Sequence, residues 1–229
     1  MTSWGRAFLV LLKKELLLEA RGKELLTLLL CSSLMIAILV GSGVSSAVLD
    51  AHTTRKLYPM LLWIVFLLTA TTASVRVSEA ELEGRGFEGL FLAGVTGPQL
   101  YMAKVCVATL LFFLDWVLLV LLLGLALDQR ISEVLPTLLK IGLGSSIALA
   151  ALIVLLSAVT GTSRLRGVLL PLVTIPLLFP LFFAGVEMTT ACLLYGALES
   201  GSIWPSIVLL SATVFVLVGI NTYELALRE

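Results

Sequence analysis

Six long apolar runs fill most of this chain, separated by short polar breaks. They cover about Leu25 to Leu49, Leu57 to Val75, Leu100 to Leu127, Val134 to Thr160, Val168 to Val186 and Ile203 to Asn221. Each approaches or exceeds the roughly 20 residues that carry a helix across a hydrocarbon core about 30 Å thick. Lipid offers backbone N–H and C=O groups no partners, so a spanning segment must satisfy them internally. The runs are too long and too uniformly apolar for the alternating strands of a membrane barrel. The pattern predicts an all-α membrane protein of six transmembrane helices, with residues 1–229 as one membrane domain.

Two polar stretches interrupt this plan informatively. The first precedes the first span. From Trp4 to Glu24, Arg6, Lys13 and Glu24 share a helical face that Val10 and Leu17 interrupt. This predicts an interfacial N-terminal segment over 1–24, lying on one leaflet. The second is the longest polar break, within 77–98, reading VSEAELEGRGFEGLFLAGVTGP. It carries Glu79, Glu81, Glu83, Arg85 and Glu88, then becomes apolar at Leu90, Phe91 and Leu92 too briefly to span. A charged, glycine-punctuated, half-amphipathic segment between two spans suits docking to a soluble partner. The expectation is a short helix over Phe87 to Leu92.

Composition supports the membrane reading. Residues are 59% hydrophobic and only 13% charged, against about half and a quarter in soluble domains. Mean hydropathy is +1.11. Formal charge is zero, so there is no basic footprint for nucleic acid. Lysine and arginine are unevenly shared. Arg6, Lys13, Lys14, Arg21, Lys23, Arg76, Arg85, Lys104, Arg164, Arg166 and Arg228 fall on one side of the predicted membrane, while Arg55, Lys56, Arg130 and Lys140 fall on the other. The richer side is predicted to be cytoplasmic, with both termini inside. Trp63, Trp116 and Trp204 are candidate interface markers, of which only Trp204 sits clearly at a span end. The N-terminal segment lacks a small-residue cleavage site and is not expected to be a cleaved leader.

The chemistry-bearing residues are few. There is no GxxxxGK[ST] sequence for a P-loop, no HExxH, and no acidic calcium-loop pattern. Cys31, Cys106 and Cys192 form no CxxC pair or metal-ligand spacing and read as small buried hydrophobes. Ser145 and Ser146 follow Gly142 and Gly144 in a stretch faintly resembling an intramembrane serine nucleophile. The sole histidine, His52, lies in the loop after span one, and a serine without a base in reach is not activated. Small residues in such a stretch favour close helix packing. His52 itself reads either as a solvated loop residue or as an axial ligand for haem iron.

Asp115 is the one carboxylate deep inside a span. It reads either as lining a polar cavity or proton-linked site, or as a hydrogen-bonding partner of a neighbouring helix or a position wet from the outer surface. In the fifth span, Pro171, Pro176 and Pro180 each remove a backbone donor, which predicts a kinked or broken helix and a substrate path or moving element. Glu187 follows that span at its outer end.

These features in order resemble a family. They are the basic segment KKELLLEARGKELL, a first span, an outer loop and second span, the loop EGRGFEGL, a Gly-Pro pair, a third span opening YMAKV, then SRLRG and PLVTIPLLFPLFFAGVE. Together they resemble the CcmB family, haem exporter protein B of cytochrome c maturation, over almost the whole chain. The resemblance implies a fold similar to type-2 ABC exporter permeases, with an N-terminal interfacial helix and six spans in the bacterial inner membrane. It implies no enzyme activity in this chain, and ATP bound on a partner subunit. Glu83, Gly86, Phe87, Glu88 and Leu90 fall on the family's loop pattern and are implied to couple to that ATPase. Lys104 matches the basic residue reopening span three, and Arg164 and Gly167 match the small basic loop. Where the family usually has Ser-Pro, this chain has Ala93-Gly94; where it often has His-Trp, this chain has Ala108-Thr109. The implied partners are a CcmA-like ATPase, a CcmC-like haem-handling membrane protein and a small single-span CcmD-like subunit, with room for a homodimer. Haem is the implied cargo, and the resemblance assigns no haem ligand to this chain.

Two other readings stay open from the residues. One is the permease subunit of another ABC exporter, for lipid, polysaccharide or drug. The other is a non-transporting scaffold for a haem lyase. A secondary transporter fits less well, since Asp115 is the only deep ionisable residue and no inverted repeat is visible.

Overall fold

The computed structural model describes residues 2–47, 50–83, 94–160, 166–196 and 201–228. Among them are seven α-helices and no strand: α1 (Thr2–Gly22), α2 (Glu24–Ser46), α3 (Ala51–Glu83), α4 (Gly97–Ala126), α5 (Leu135–Thr160), α6 (Arg166–Tyr195) and α7 (Trp204–Arg228). Helices α2 to α7 each contain a stretch long and apolar enough to cross a membrane. The described residues are therefore all-helical, with six candidate spans among them.

Local chemistry sets the helix boundaries. At the α1–α2 joint Lys23 takes a left-handed φ of 55°. Its amide donates to the Glu19 carbonyl at 2.6 Å, and the Glu19 side chain accepts from the Leu26 amide at 2.9 Å. One carboxylate thus satisfies an orphan donor of the new helix. Asp50 starts α3 by accepting from the Thr53 amide at 3.1 Å and hydroxyl at 2.6 Å. The Thr53 hydroxyl and amide hold its carboxyl below the usual range. His52, expected in the loop, is instead in the first turn of α3, because Asp50 caps the helix one residue before it begins. At α4 the Gln99 side chain reaches back to the Thr96 amide at 3.0 Å, and Pro98 sits in the first turn, where its missing N–H costs nothing.

Helix α1 is amphipathic and packs on α4. Leu11 is buried, while Leu9, Val10, Leu16, Leu17 and Leu18 stay exposed. The two residues that broke its polar stripe in sequence, Val10 and Leu17, therefore lie on the uncovered side. The Gln99 side chain sits 3.5 Å from the Trp4 carbonyl, and the Gly97 amide 3.3 Å from Glu224 Oε2. These contacts gather the starts of α1 and α4 and the end of α7 at one end of the bundle.

The buried centre is aromatic. Trp63 and Trp116 have ring centroids 4.8 Å apart, and Phe66 lies edge-on to both at 5.9 and 5.1 Å. Trp63 and Trp116 are fully buried, so the expectation that they mark the membrane interface is corrected. Each indole N–H finds an interior acceptor: Thr189 Oγ1 for Trp63 at 3.0 Å and the Leu138 carbonyl for Trp116 at 3.1 Å. With that donor satisfied, an indole has no need of interfacial water.

Candidate functional site

Asp115 lies on α4 and is 1% exposed. The Ser33 hydroxyl of α2 donates to its Oδ1, and Thr69 Oγ1 of α3 sits 2.9 Å from its Oδ2. Thr69 Oγ1 is also 3.0 Å from the Phe66 carbonyl of its own helix. One carboxyl therefore joins three spans. Intramembrane carboxylates seek partners because a bare charge in hydrocarbon costs several kcal/mol. This geometry is that of a hydrogen bond to neighbouring helices, and the burial excludes a position wet from the outer surface.

Two glycines carry the aromatic centre. A Cβ at Gly142 of α5 would fall inside the Trp116 ring, and one at Gly185 of α6 inside the Trp63 ring. The indoles of α3 and α4 thus press directly on the backbones of α5 and α6. The small-residue stretch around Gly142 is a packing surface, with Ser145 and Ser146 fully buried. His52 lies on α3, exposed, in its first turn. Cys192 is buried as expected, but Cys31 and Cys106 are exposed on the outer faces of α2 and α4, which corrects the expectation that all three are buried.

Of the kinked or broken helix expected from its prolines, α6 excludes the break. It is continuous from Arg166 to Tyr195 through Pro171, Pro176 and Pro180, so it is not broken. Pro176 and Pro180 lie on the exposed side with Leu172, Phe179 and Phe183, so these two rings face away from the protein interior. Glu187 is also corrected: it does not follow the helix but lies inside it and is exposed. Met188 to Tyr195 carry the helix two more turns. It stops at Gly196, whose φ of +78° suits a residue without Cβ, and whose amide donates to the Cys192 carbonyl at 3.0 Å. The Arg55 guanidinium donates to the Leu193 carbonyl, tying the start of α3 to this end of α6.

The docking segment is partly placed. Its first residues, Val77 to Glu83, continue α3 without interruption. The apolar stretch of α3 ends by Ser74, and the helix runs on through Arg76, Glu79, Glu81 and Glu83. Gly86, Phe87, Glu88 and Leu90, with the short helix expected over Phe87 to Leu92, lie outside the described residues, as does Arg164. Glu83 is the last residue of α3. Lys104 lines a small cavity of about 240 Å³ at the same end, between α1, α2 and α4, together with Glu15, Glu19 and Glu24.

A family model described as CcmB protein matches residues 6–228. The chain belongs to the CcmB family. Among curated proteins none matches it. Membership makes it a multi-pass membrane subunit of the haem-exporter system of cytochrome c maturation. In this CcmB chain, sequence reasoning missed Ser33 and Thr69, the partners of Asp115, and the pairing of Gly142 and Gly185 with the two tryptophans. The available signal was that Trp63, Trp116 and Asp115 all lie well inside apolar runs, where each polar group must be met by another helix.

Proposed function

We propose that this chain is the permease subunit of an ATP-driven complex that supplies or releases haem for c-type cytochromes, working from the bacterial inner membrane with both termini cytoplasmic. The family match over residues 6–228 carries the reading. The chain forms a single permease domain, and haem is its cargo. A CcmA-like ATPase supplies ATP hydrolysis, since the sequence holds no P-loop pattern. A CcmC-like haem-handling protein and a single-span CcmD-like subunit complete the assembly.

The ATPase docks on the segment 77–98. Helix α3 has 33 residues, about 50 Å at 1.5 Å per residue, more than the roughly 30 Å hydrocarbon core needs. Its polar tail through Glu83 supports a rigid arm leading from the bilayer to Gly86, Phe87, Glu88 and Leu90. An arm of continuous helix passes a displacement of the docking loop to Thr69 and Trp63, and so to Asp115 and the aromatic centre. The exposed Leu9, Val10 and Leu16 to Leu18 of α1 support its seat in the cytoplasmic leaflet. Co-purification in mild detergent tests the assembly: an ATPase retained by the wild-type chain and lost on deleting 84–92 is the expected result.

A further inference from the structure

A cleft of about 600 Å³ opens between α5, α6 and α7, and neither Asp115 nor its partners Ser33 and Thr69 line it. Its wall runs along α5 from Thr137 to Ile147 and along α7 from Pro205 to Leu217. At 1.5 Å per residue these stretches are about 15 and 18 Å long. The size falls within the roughly 300–1,000 Å³ of small-ligand pockets. The wall is almost wholly apolar, and Lys140 is the one ionisable residue in it. Lys140 sits near the start of α5, so its ammonium stands at the end of the cleft nearest the 127–134 connection. Among the described residues it makes no ion pair. Met188 of α6 offers the cleft a thioether and is 5% exposed.

We propose that this cleft binds haem, a reading that rests on the haem-exporter function above. The apolar wall matches the faces of a porphyrin, and Lys140 matches its carboxylates, which prefer the polar end of a membrane site. No acidic residue lines the cleft to repel them. Methionine sulfur is an accepted axial donor to haem iron, and neither histidine nor cysteine is in the wall to hold the iron more firmly. A cargo site must bind well enough to load and weakly enough to release. Gly144 and Ala212 keep the cleft open, with a Cβ at Gly144 reaching only ordinary contact, 3.4 Å, with Val208.

The test uses the full chain in nanodiscs and follows hemin, metal-free protoporphyrin IX and protoporphyrin dimethyl ester by absorbance and fluorescence. Ala212→Trp fills the cleft and is expected to weaken all three by at least about tenfold. Lys140→Glu, at an exposed position that leaves the fold intact, is expected to weaken the two dicarboxylates by about tenfold, the worth of a charged hydrogen bond, and to spare the ester. Met188→Leu is expected to shift the Soret band of bound hemin and leave metal-free protoporphyrin binding unchanged. Unaltered hemin affinity in both Ala212→Trp and Lys140→Glu overturns the site. So does loss of co-purifying phosphatidylglycerol in Lys140→Glu with porphyrin binding intact, which makes the cleft a lipid site. An unshifted Soret band in Met188→Leu overturns the iron contact. Full cytochrome c maturation by Ala212→Trp in a strain lacking the wild-type chain overturns the cleft while leaving the exporter function standing.

Discussion

The Ser33 hydroxyl of α2 donates to the Asp115 carboxyl of α4 across 82 residues of sequence. Thr69 of α3 meets the other oxygen, so the first three spans share one polar node inside the bilayer. Interhelical hydrogen bonds in membranes contribute about 0.6–1.7 kcal/mol each. Asp115→Leu should lower unfolding stability in detergent by about 1–3 kcal/mol, since Ser33 is left a buried donor without its acceptor. Asp115→Asn, which keeps an acceptor oxygen, should lose less. Equal stability of wild type and Asp115→Leu would show that the node holds nothing.

The second prediction concerns the indoles. Gly142→Val places carbon where the Trp116 ring lies, and overpacking of this kind costs about 1–3 kcal/mol. Trp116→Ala should relieve the clash while leaving its own cavity, so the two changes should couple strongly in a double-mutant cycle. Additive losses would mean that Trp116 does not rest on α5.

The span plan was legible because hydrocarbon demands length and apolarity, and both are written in consecutive residues. Even the ends came close, as with α5, expected from Val134 and found from Leu135. What crosses between helices was not legible. Nothing near Asp115 in sequence points to Ser33 or Thr69, and nothing near Trp63 points to Thr189. Glu187 was placed after the span because the uncharged run ends at Val186, yet an exposed carboxylate fits within a helix that continues to Tyr195. Of the two outcomes the prolines allow, a kink or a break, the break does not occur. Loss of a single N–H per ring leaves the other bonds of a 30-residue helix intact.

Topology follows from the charge asymmetry. With Cys31, Cys106 and Cys192 replaced, a cysteine at Glu83 or Arg164 should react only with reagents that reach the cytoplasm. One at Asp128 or Gly201 should react from outside. Outside labelling at Glu83 would invert the plan.

The docking segment is tested at Glu88. Reversing a charge buried in an interface costs about 2–5 kcal/mol. Glu88→Lys should therefore release the ATPase on gentle purification or leave it hydrolysing ATP without maturing cytochromes. A mutant that retains both the ATPase and full maturation would remove Glu88 from the interface.

The most direct measurement is covalent haem in exported c-type cytochromes of a strain lacking this gene. Heme-stained gels of the periplasmic fraction should lose those bands, while cytoplasmic haem proteins keep normal spectra. A partner ATPase unable to hydrolyse ATP should produce the same loss. Normal covalent attachment in the deletion strain would contradict the haem-exporter account.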